Sequence, residues 1–289
     1  MCAAAVGVKL ARVPIPSRRL RVWVYRKVYG KKYSSLREDQ LERPLGDFRS
    51  LNDLFTRGVK AECRPLSDAA GSFLCPCDST IQDLGRLHDG KLLTIKQIEY
   101  TLESLLPGVD TRTLADGSFG IFFLSPSDCH RVFCPHDATL VEAIHVPGRR
   151  LLVHPPYQRR EFPVFSLNER VILRFHSMAG SFVLVMVAGW GVGNISHPFP
   201  LPLKPSKHSI TRHVLPEPRH LRSGEWVATF GLGSTVILIT EPCADVSVQI
   251  ARDQAVLYGQ PAWMASVRPS RPAECSGAAS AKKETQSLA

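Results

Sequence analysis

The sequence predicts an α+β fold that is mostly β, with short N-terminal amphipathic helices leading into a body of many short strands. Three observations carry this. Apolar residues recur at helical spacing mainly before Arg64. From Phe73 onward, short β-branched and aromatic runs alternate with Gly, Pro and Asp. At 44% hydrophobic and 21% charged over 289 residues, the composition is that of a globular protein. The longest apolar run, around Phe182–Val187, falls well short of the ~20 residues that a membrane helix needs.

Taken in order, residues 17–42 carry helix-compatible spacing. Leu20, Val22, Val24, Tyr25, Val28 and Tyr29 form a broad apolar face opposite arginines. A second amphipathic helix is expected over 47–57, where Phe48, Leu51, Leu54 and Phe55 share a face; Arg64-Pro65 marks the exit into a loop. Strands are expected at 79–81, 91–95, 120–124, 171–175, 182–187, 235–239 and 246–250, and a short helix over Tyr100–Leu106. Gly189, Gly191 and Gly193 mark a turn. Residues 197–222, rich in Pro, His, Lys and Arg, read as a mobile surface loop. The organisation expected is a basic amphipathic membrane-docking or targeting segment over 1–44, a β-rich body over 45–265, and a disordered tail over 266–289.

The net charge of +10 is concentrated at one end. Ten basic residues, from Lys9 to Arg37, precede the first acid, Glu38, and equal the whole excess of 36 basic over 26 acidic side chains. Interleaved with Val22, Trp23, Val24, Tyr25 and Tyr29, they fit a surface lying on anionic lipid. They fit equally an organelle-targeting segment or a merely solvated arm. The balanced remainder argues against nucleic acid as partner. Eight cysteines show no metal-pair spacing and no secretory signal accompanies them, so they read as reduced thiols in an intracellular compartment; the ten histidines form no ligand motif, so no metal is expected.

The stretch Phe230-Gly231-Leu232-Gly233-Ser234-Thr235 followed by Val236–Ile239 is a glycine-rich turn before a buried strand, an ordinary pattern by itself. Its company is not ordinary. Pro76-Cys77-Asp78, then Ile95–Leu106, then Leu124-Ser125-Pro126-Ser127-Asp128-Cys129-His130, then Leu232-Gly233-Ser234-Thr235 stand in the order found in phosphatidylserine decarboxylases. Phe48–Arg57, Val146-Pro147-Gly148, Asn168-Glu169-Arg170-Val171, Val192-Gly193 and Gly224-Glu225 add support, and the resemblance covers roughly residues 45–262.

That resemblance implies a proenzyme that cuts itself between Gly233 and Ser234. The Ser234 hydroxyl would attack the Gly233 carbonyl, and elimination and hydrolysis would leave residues 234–289 beginning with a pyruvoyl group. Chains 1–233 and 234–289 would stay associated, and a homodimer is implied as well. Glycine at 233 leaves the carbonyl open to attack, and a serine hydroxyl needs a base beside it. The pyruvoyl carbonyl would then form a Schiff base with the amine of phosphatidylserine and act as electron sink for loss of CO2. The product would be phosphatidylethanolamine, made at an anionic membrane surface such as the mitochondrial inner membrane or another organelle membrane. The resemblance makes Asp78 the relay carboxylate, His130 the histidine near the substrate carboxylate, and Asp128 an acidic neighbour. Read singly, Asp78 is a turn residue, Asp128 a cap, and His130 a hydrogen-bonded histidine.

One departure stands out. The family segment runs His-x-x-His-x-Pro, whereas here it is His130-Arg131-Val132-Phe133-Cys134-Pro135, with Phe133 in place of the relay base; Ser79 also replaces the glycine after the relay Asp. Phenylalanine accepts no proton, and loss of a general base costs about 10²–10⁴-fold in rate. His136 or His130 is then left as substitute base. The alternative reading is an uncleaved pseudoenzyme that keeps the fold and binds lipid.

Overall fold

A computed structural model describes residues 9–30, 36–68, 71–94, 97–190, 195–201, 203, 205–231, 234–243 and 246–265. Helix α1 (Arg18–Tyr29) begins at Ser17, whose hydroxyl accepts from the Leu20 amide at 3.4 Å. It is shorter than the expected 17–42 and is followed by Gly30. Helix α2 (Leu51–Phe55) is also shorter than expected. Its start is a reciprocal cap: Ser50 Oγ accepts from the Asp53 amide at 3.1 Å, and Asp53 accepts from the Arg49 amide at 2.7 Å. Phe48 lies outside the helix in extended backbone. It is buried all the same, because its carbonyl accepts from the Tyr25 hydroxyl at 2.8 Å and its ring joins Tyr25, Tyr29, Leu41, Leu45 and Leu54 in a small core.

The body is built from strands. In chain order they are β1 (Ser72–Leu74), β2 (Ser79–Arg86), β3 (Lys91–Leu93), β4 (Glu99–Thr101), β5 (Ser118–Leu124), β6 (Arg131–Phe133), β7 (Ala138–Val146) and β8 (Arg170–Ser177). Then follow β9 (Gly180–Ala188), β10 (Ile195–Ser196), β11 (Thr211–Leu221), β12 (Trp226–Phe230), β13 (Ser234–Thr240), β14 (Val246–Val248), β15 (Ala255–Val256) and β16 (Pro261–Ala265). Short helices α3 (Leu102–Leu105) and α4 (Val164–Leu167) interrupt them; Tyr100, expected in a helix, belongs to β4.

An eight-stranded sheet in the order β11-β7-β8-β9-β13-β5-β2-β15 forms the centre, with every pairing antiparallel. Alternation along its strands makes two faces. Phe122, Leu124, Leu184, Met186, Ala188, Val236 and Leu238 pack on one face against Val132 of β6, Phe230 of β12 and Trp263 of β16. Ile121, Val185, Val187, Ile237 and Ile239 pack on the other against Leu102, Leu105 and Phe165. Strand β13 is buried along its whole length between β5 and β9, which explains its continuous β-branched run.

The expected mobile loop over 197–222 is corrected for residues 211–221, which form edge strand β11 paired to β7. Pro216 and Pro218 sit in the register shift between Val214 and Arg219, where no ladder hydrogen bond is lost. A polar strand with two prolines survives there because only one of its edges pairs. The expected tail and the glycine turn at 191–193 lie outside the described residues, apart from Gly189.

Candidate active site

The chain turns a corner at the glycine-rich stretch. Strand β12 belongs to a three-stranded sheet with β10 and β6, whereas β13, four residues on, lies at the centre of the large sheet. Gly233 falls outside the described residues, so the site is built from Ser234 onward. Ser234 opens β13, paired to Leu124 of β5 on one side and Ala188 of β9 on the other. It is fully buried, and its Oγ has no hydrogen-bond partner among the described residues. Strand alternation puts its side chain on the face that packs against β6 and β12.

Ala188 is held firmly. Its carbonyl accepts from Asn168 Nδ2 at 2.9 Å and its amide donates to the Glu169 carbonyl at 2.8 Å. The fully buried Asn168 also binds both the amide and the carbonyl of Leu151. A Cβ at Gly148 would lie 2.5 Å from the Asn168–Glu169 backbone, so only glycine fits there. These two supporting motifs therefore act on the framework beside Ser234.

His130 is tethered near the corner from two sides. Its carbonyl accepts from the Phe230 amide at 3.0 Å, four residues before Ser234. Leu124, the register partner of Ser234, leads to it through the turn at 125–128. That turn is closed by the Asp128 amide on the Ser125 carbonyl and by the Asp128 carboxylate, which accepts from the Ser125 amide at 2.7 Å. Asp128 therefore has a structural task, and burial pushes its carboxyl upward. The His130 ring is fully buried, 3.8 Å between centroids from Phe55. Its Nδ1 donates to the Asp128 carbonyl at 3.0 Å, which leaves Nε2 as an unprotonated acceptor with no partner among the described residues. Burial foremost, and then the Arg57 charge, push its pKa down to about 3, although the bond to Asp128 pulls the other way. Arg57 donates to the carbonyls of Leu54 and Ser127 and so ties the end of α2 to the His130 turn.

Asp78, expected as the relay carboxylate, is held by three donors. Its carboxylate receives Arg64 Nε at 2.9 Å, Arg64 Nη2 at 2.6 Å and the Tyr258 amide at 3.0 Å, all in the interior. Phe133 lies flat on the Tyr258 ring, 3.7 Å between centroids and 17° from parallel. The position that the family motif gives to the relay histidine is thus close to Asp78 through Tyr258, but an apolar stack occupies it. His136 points elsewhere, with Nδ1 on the Asp137 carbonyl and its ring 5.0 Å from Phe73. Sequence reasoning missed Arg64 and Tyr258 as the partners of Asp78. The first was read only as a helix exit, and the second is 180 residues away from Asp78.

Clefts among the described residues open elsewhere. One of about 640 Å³ is lined by Asp137, His176, Met178 and His220, and one of about 230 Å³ by Thr80, Gln82, Phe123 and Arg252. None of Asp78, His130 and Ser234 lines either. The second reaches the row of the site, because Phe123 is the register partner of Thr235.

Comparison with known proteins adds a family. A family model described as phosphatidylserine decarboxylase matches residues 51–263. A phosphatidylserine decarboxylase proenzyme of Bordetella pertussis is 37% identical over 212 residues, 71% of this chain and 71% of the relative. One from Variovorax paradoxus is 34% identical over 224 residues, covering 76% and 78% respectively. One from Nitrosococcus oceani is 32% identical over 248 residues, covering 84% and 80%.

Proposed function

The chain belongs to the phosphatidylserine decarboxylase family of carboxy-lyases, and from that membership we propose a self-cleaving proenzyme that converts phosphatidylserine to phosphatidylethanolamine and CO2. The proposed cut lies between Gly233 and Ser234, and Ser234 becomes the pyruvoyl residue. One observation carries this reading: the Ser234 hydroxyl is fully buried, without a partner among the described residues, at the start of a central strand. Leaving such a group unsatisfied costs about 1–3 kcal/mol. A hydroxyl that must be free to react gives that cost a reason. The buried orphan also fits the pyruvoyl group as its precursor. Once formed, the group supplies the electrophilic carbonyl that withdraws electrons as CO2 leaves. His130 is the residue proposed to move a proton at the reacting carbon.

The architecture supports association of the two proposed products. Strand β13 is paired on both sides over seven residues, so chain 234–289 cannot leave without removing a central strand from the sheet. Residues 45–265 are proposed as the catalytic domain and 1–44 as a membrane-docking segment. Tyr25 and Tyr29 anchor α1 to the body, while Leu20, Trp23 and Val28 are exposed beside its basic side chains, with Lys27 Nζ 4.9 Å from the Trp23 ring centroid. No helix among the described residues is long and apolar enough to cross a membrane. Because the relatives are bacterial, the proposal is an anionic membrane surface in general, not the mitochondrial inner membrane that the basic start suggests.

Denaturing intact-mass measurement, after incubation with phosphatidylserine vesicles, tests the reading on the parent and on Ser234→Ala. The expected result is two fragments, the second with a blocked N-terminus, CO2 release and vesicle co-sedimentation for the parent, and a folded, inactive full-length chain for the variant. Native mass of the same sample tests the homodimer. CO2 release by Ser234→Ala would sink the pyruvoyl mechanism. A parent that stays at 32.0 kDa and only binds vesicles would establish the pseudoenzyme reading, which Phe133 favours.

A further inference from the structure

Self-cleavage needs a base for the Ser234 hydroxyl, and the usual candidate is missing. Phe133 holds the position of the relay histidine and is stacked on Tyr258. The Asp78 carboxylate is engaged by Arg64 and the Tyr258 amide. His136 is turned to Asp137 and Phe73. We propose that His130 Nε2 is the base for cleavage of the Gly233–Ser234 bond, so that one histidine serves maturation as well as decarboxylation in this chain. This rests on the self-cleavage reading above and goes beyond it by naming the base.

Four observations support the assignment. First, Ser234 Oγ, with a proton to donate, and His130 Nε2, with a free lone pair, are both buried without a hydrogen-bond partner among the described residues and are chemically complementary. Second, His130 is tied to β12, which leads to Ser234, through the Phe230 amide, and follows by a short turn from Leu124, the register partner of Ser234. Third, its ring is oriented without a carboxylate. The Asp128 carbonyl holds Nδ1–H at 3.0 Å and Phe55 lies against the ring, which selects the tautomer that an Asp selects in a serine–histidine–aspartate triad. Fourth, burial and the Arg57 charge keep the imidazole neutral, so its lone pair is available, at the cost of making it a weak base.

The step balances within the chain. Ser234 Oγ–H gives its proton to His130 Nε2 as Oγ bonds to the Gly233 carbonyl carbon. The Gly233 C–N bond then breaks, and the same proton passes from Nε2 to the departing Ser234 nitrogen. The amide becomes an ester, with no oxidant, metal or outside proton needed. A carbonyl orienter stabilises the transient imidazolium less than a carboxylate does, and Arg57 opposes it, so this maturation is slower than a carboxylate-assisted one.

The test is maturation followed by intact mass in the parent, His130→Gln and His130→Ala, with thermal unfolding alongside to confirm folding and Ser234→Ala as the uncleaved reference. Both histidine variants are expected to remain folded and to cleave at least ~10²-fold more slowly than the parent. Added imidazole is expected to restore cleavage to His130→Ala, an effect that a purely structural role would not produce. Cleavage of folded His130→Gln or His130→Ala within tenfold of the parent overturns the assignment while leaving the pyruvoyl reading intact. If both variants unfold, imidazole decides: restored cleavage in His130→Ala supports the role, and its absence overturns it. A parent that never cleaves removes the self-cleavage reading itself.

Discussion

Replacing Arg64 by methionine takes away the guanidinium that holds Asp78, and the outcome separates a structural carboxylate from a catalytic one. Asp78 accepts hydrogen bonds from Arg64 Nε, Arg64 Nη2 and the Tyr258 amide, at 2.9, 2.6 and 3.0 Å, and the two side chains are 6% and 4% exposed. Removing one partner strands the other charge in the interior, at a cost of about 3–5 kcal/mol. For a chain of this length that lowers Tm by roughly 5–10 °C. Arg64→Met combined with Asp78→Asn removes both charges and keeps an acceptor for the Tyr258 amide, so the double variant should recover part of the loss. The expected coupling energy is about 2–3 kcal/mol. Thermal unfolding is best measured in a Ser234→Ala background, where every chain is uncut, and cleavage is followed separately by intact mass. The structural role predicts a lowered Tm for Asp78→Asn, with maturation within tenfold of the parent. If Asp78→Asn instead abolishes cleavage while Tm stays within about 2 °C of the parent, Asp78 is the relay carboxylate and the reasoning from its partners is refuted.

Other outcomes follow from the same geometry. Phe133→His loses a parallel stack on Tyr258 worth about 0.5–1.5 kcal/mol. With the Asp78 oxygens already engaged, the introduced imidazole should change the cleavage rate less than tenfold; a gain above 10²-fold, read by intact mass, would show that a histidine there is what maturation lacks. For His130, the folded pKa of about 3 lies below the unfolded ~6.5, so between those values the unfolded chain binds the extra proton. Its contribution to stability is complete above pH 6.5 and is lost as pH falls towards 3, by up to about 1.4 kcal/mol per pH unit. Burial foremost, and then the Arg57 charge, set this, and the bond to the Asp128 carbonyl opposes them. The check is denaturant unfolding at pH 6.5 and 4.5, in the Ser234→Ala background, with and without His130→Gln; an equal pH loss in both chains contradicts it. After cleavage, fragments 1–233 and 234–289 should co-elute in native chromatography and separate only in denaturant, because β13 is paired on both edges. Free separation in buffer would mean that the central strand is not held as described.

Much of the body was legible from local pattern. The β-branched run after Ser234 reads as a buried strand, and β5, β8 and β9 announced themselves likewise by apolar runs between turn residues. What stayed hidden was set by neighbours. Strand β11 is polar and carries two prolines, and only pairing along one edge of β7 makes it a strand. Phe48 looked helical because its spacing is helical, yet the hydroxyl of Tyr25, 23 residues earlier, fixes it in extended backbone.

The active site divides in the same way. Sequence alone named the candidates for chemistry, because a serine after glycine, a histidine and an aspartate must appear as letters in the right order. It also exposed the defect at Phe133, since a phenyl ring accepts no proton in any fold. The tertiary structure decided what each group is free to do. Asp78 is engaged by Arg64 and Tyr258, Asp128 by its own turn, and of these groups only His130 Nε2 and Ser234 Oγ have no partner among the described residues. The reason is physical: residue type fixes whether a group can exchange a proton, whereas its solvation and hydrogen bonds, contributed by chain as far as 180 residues away, fix whether it will.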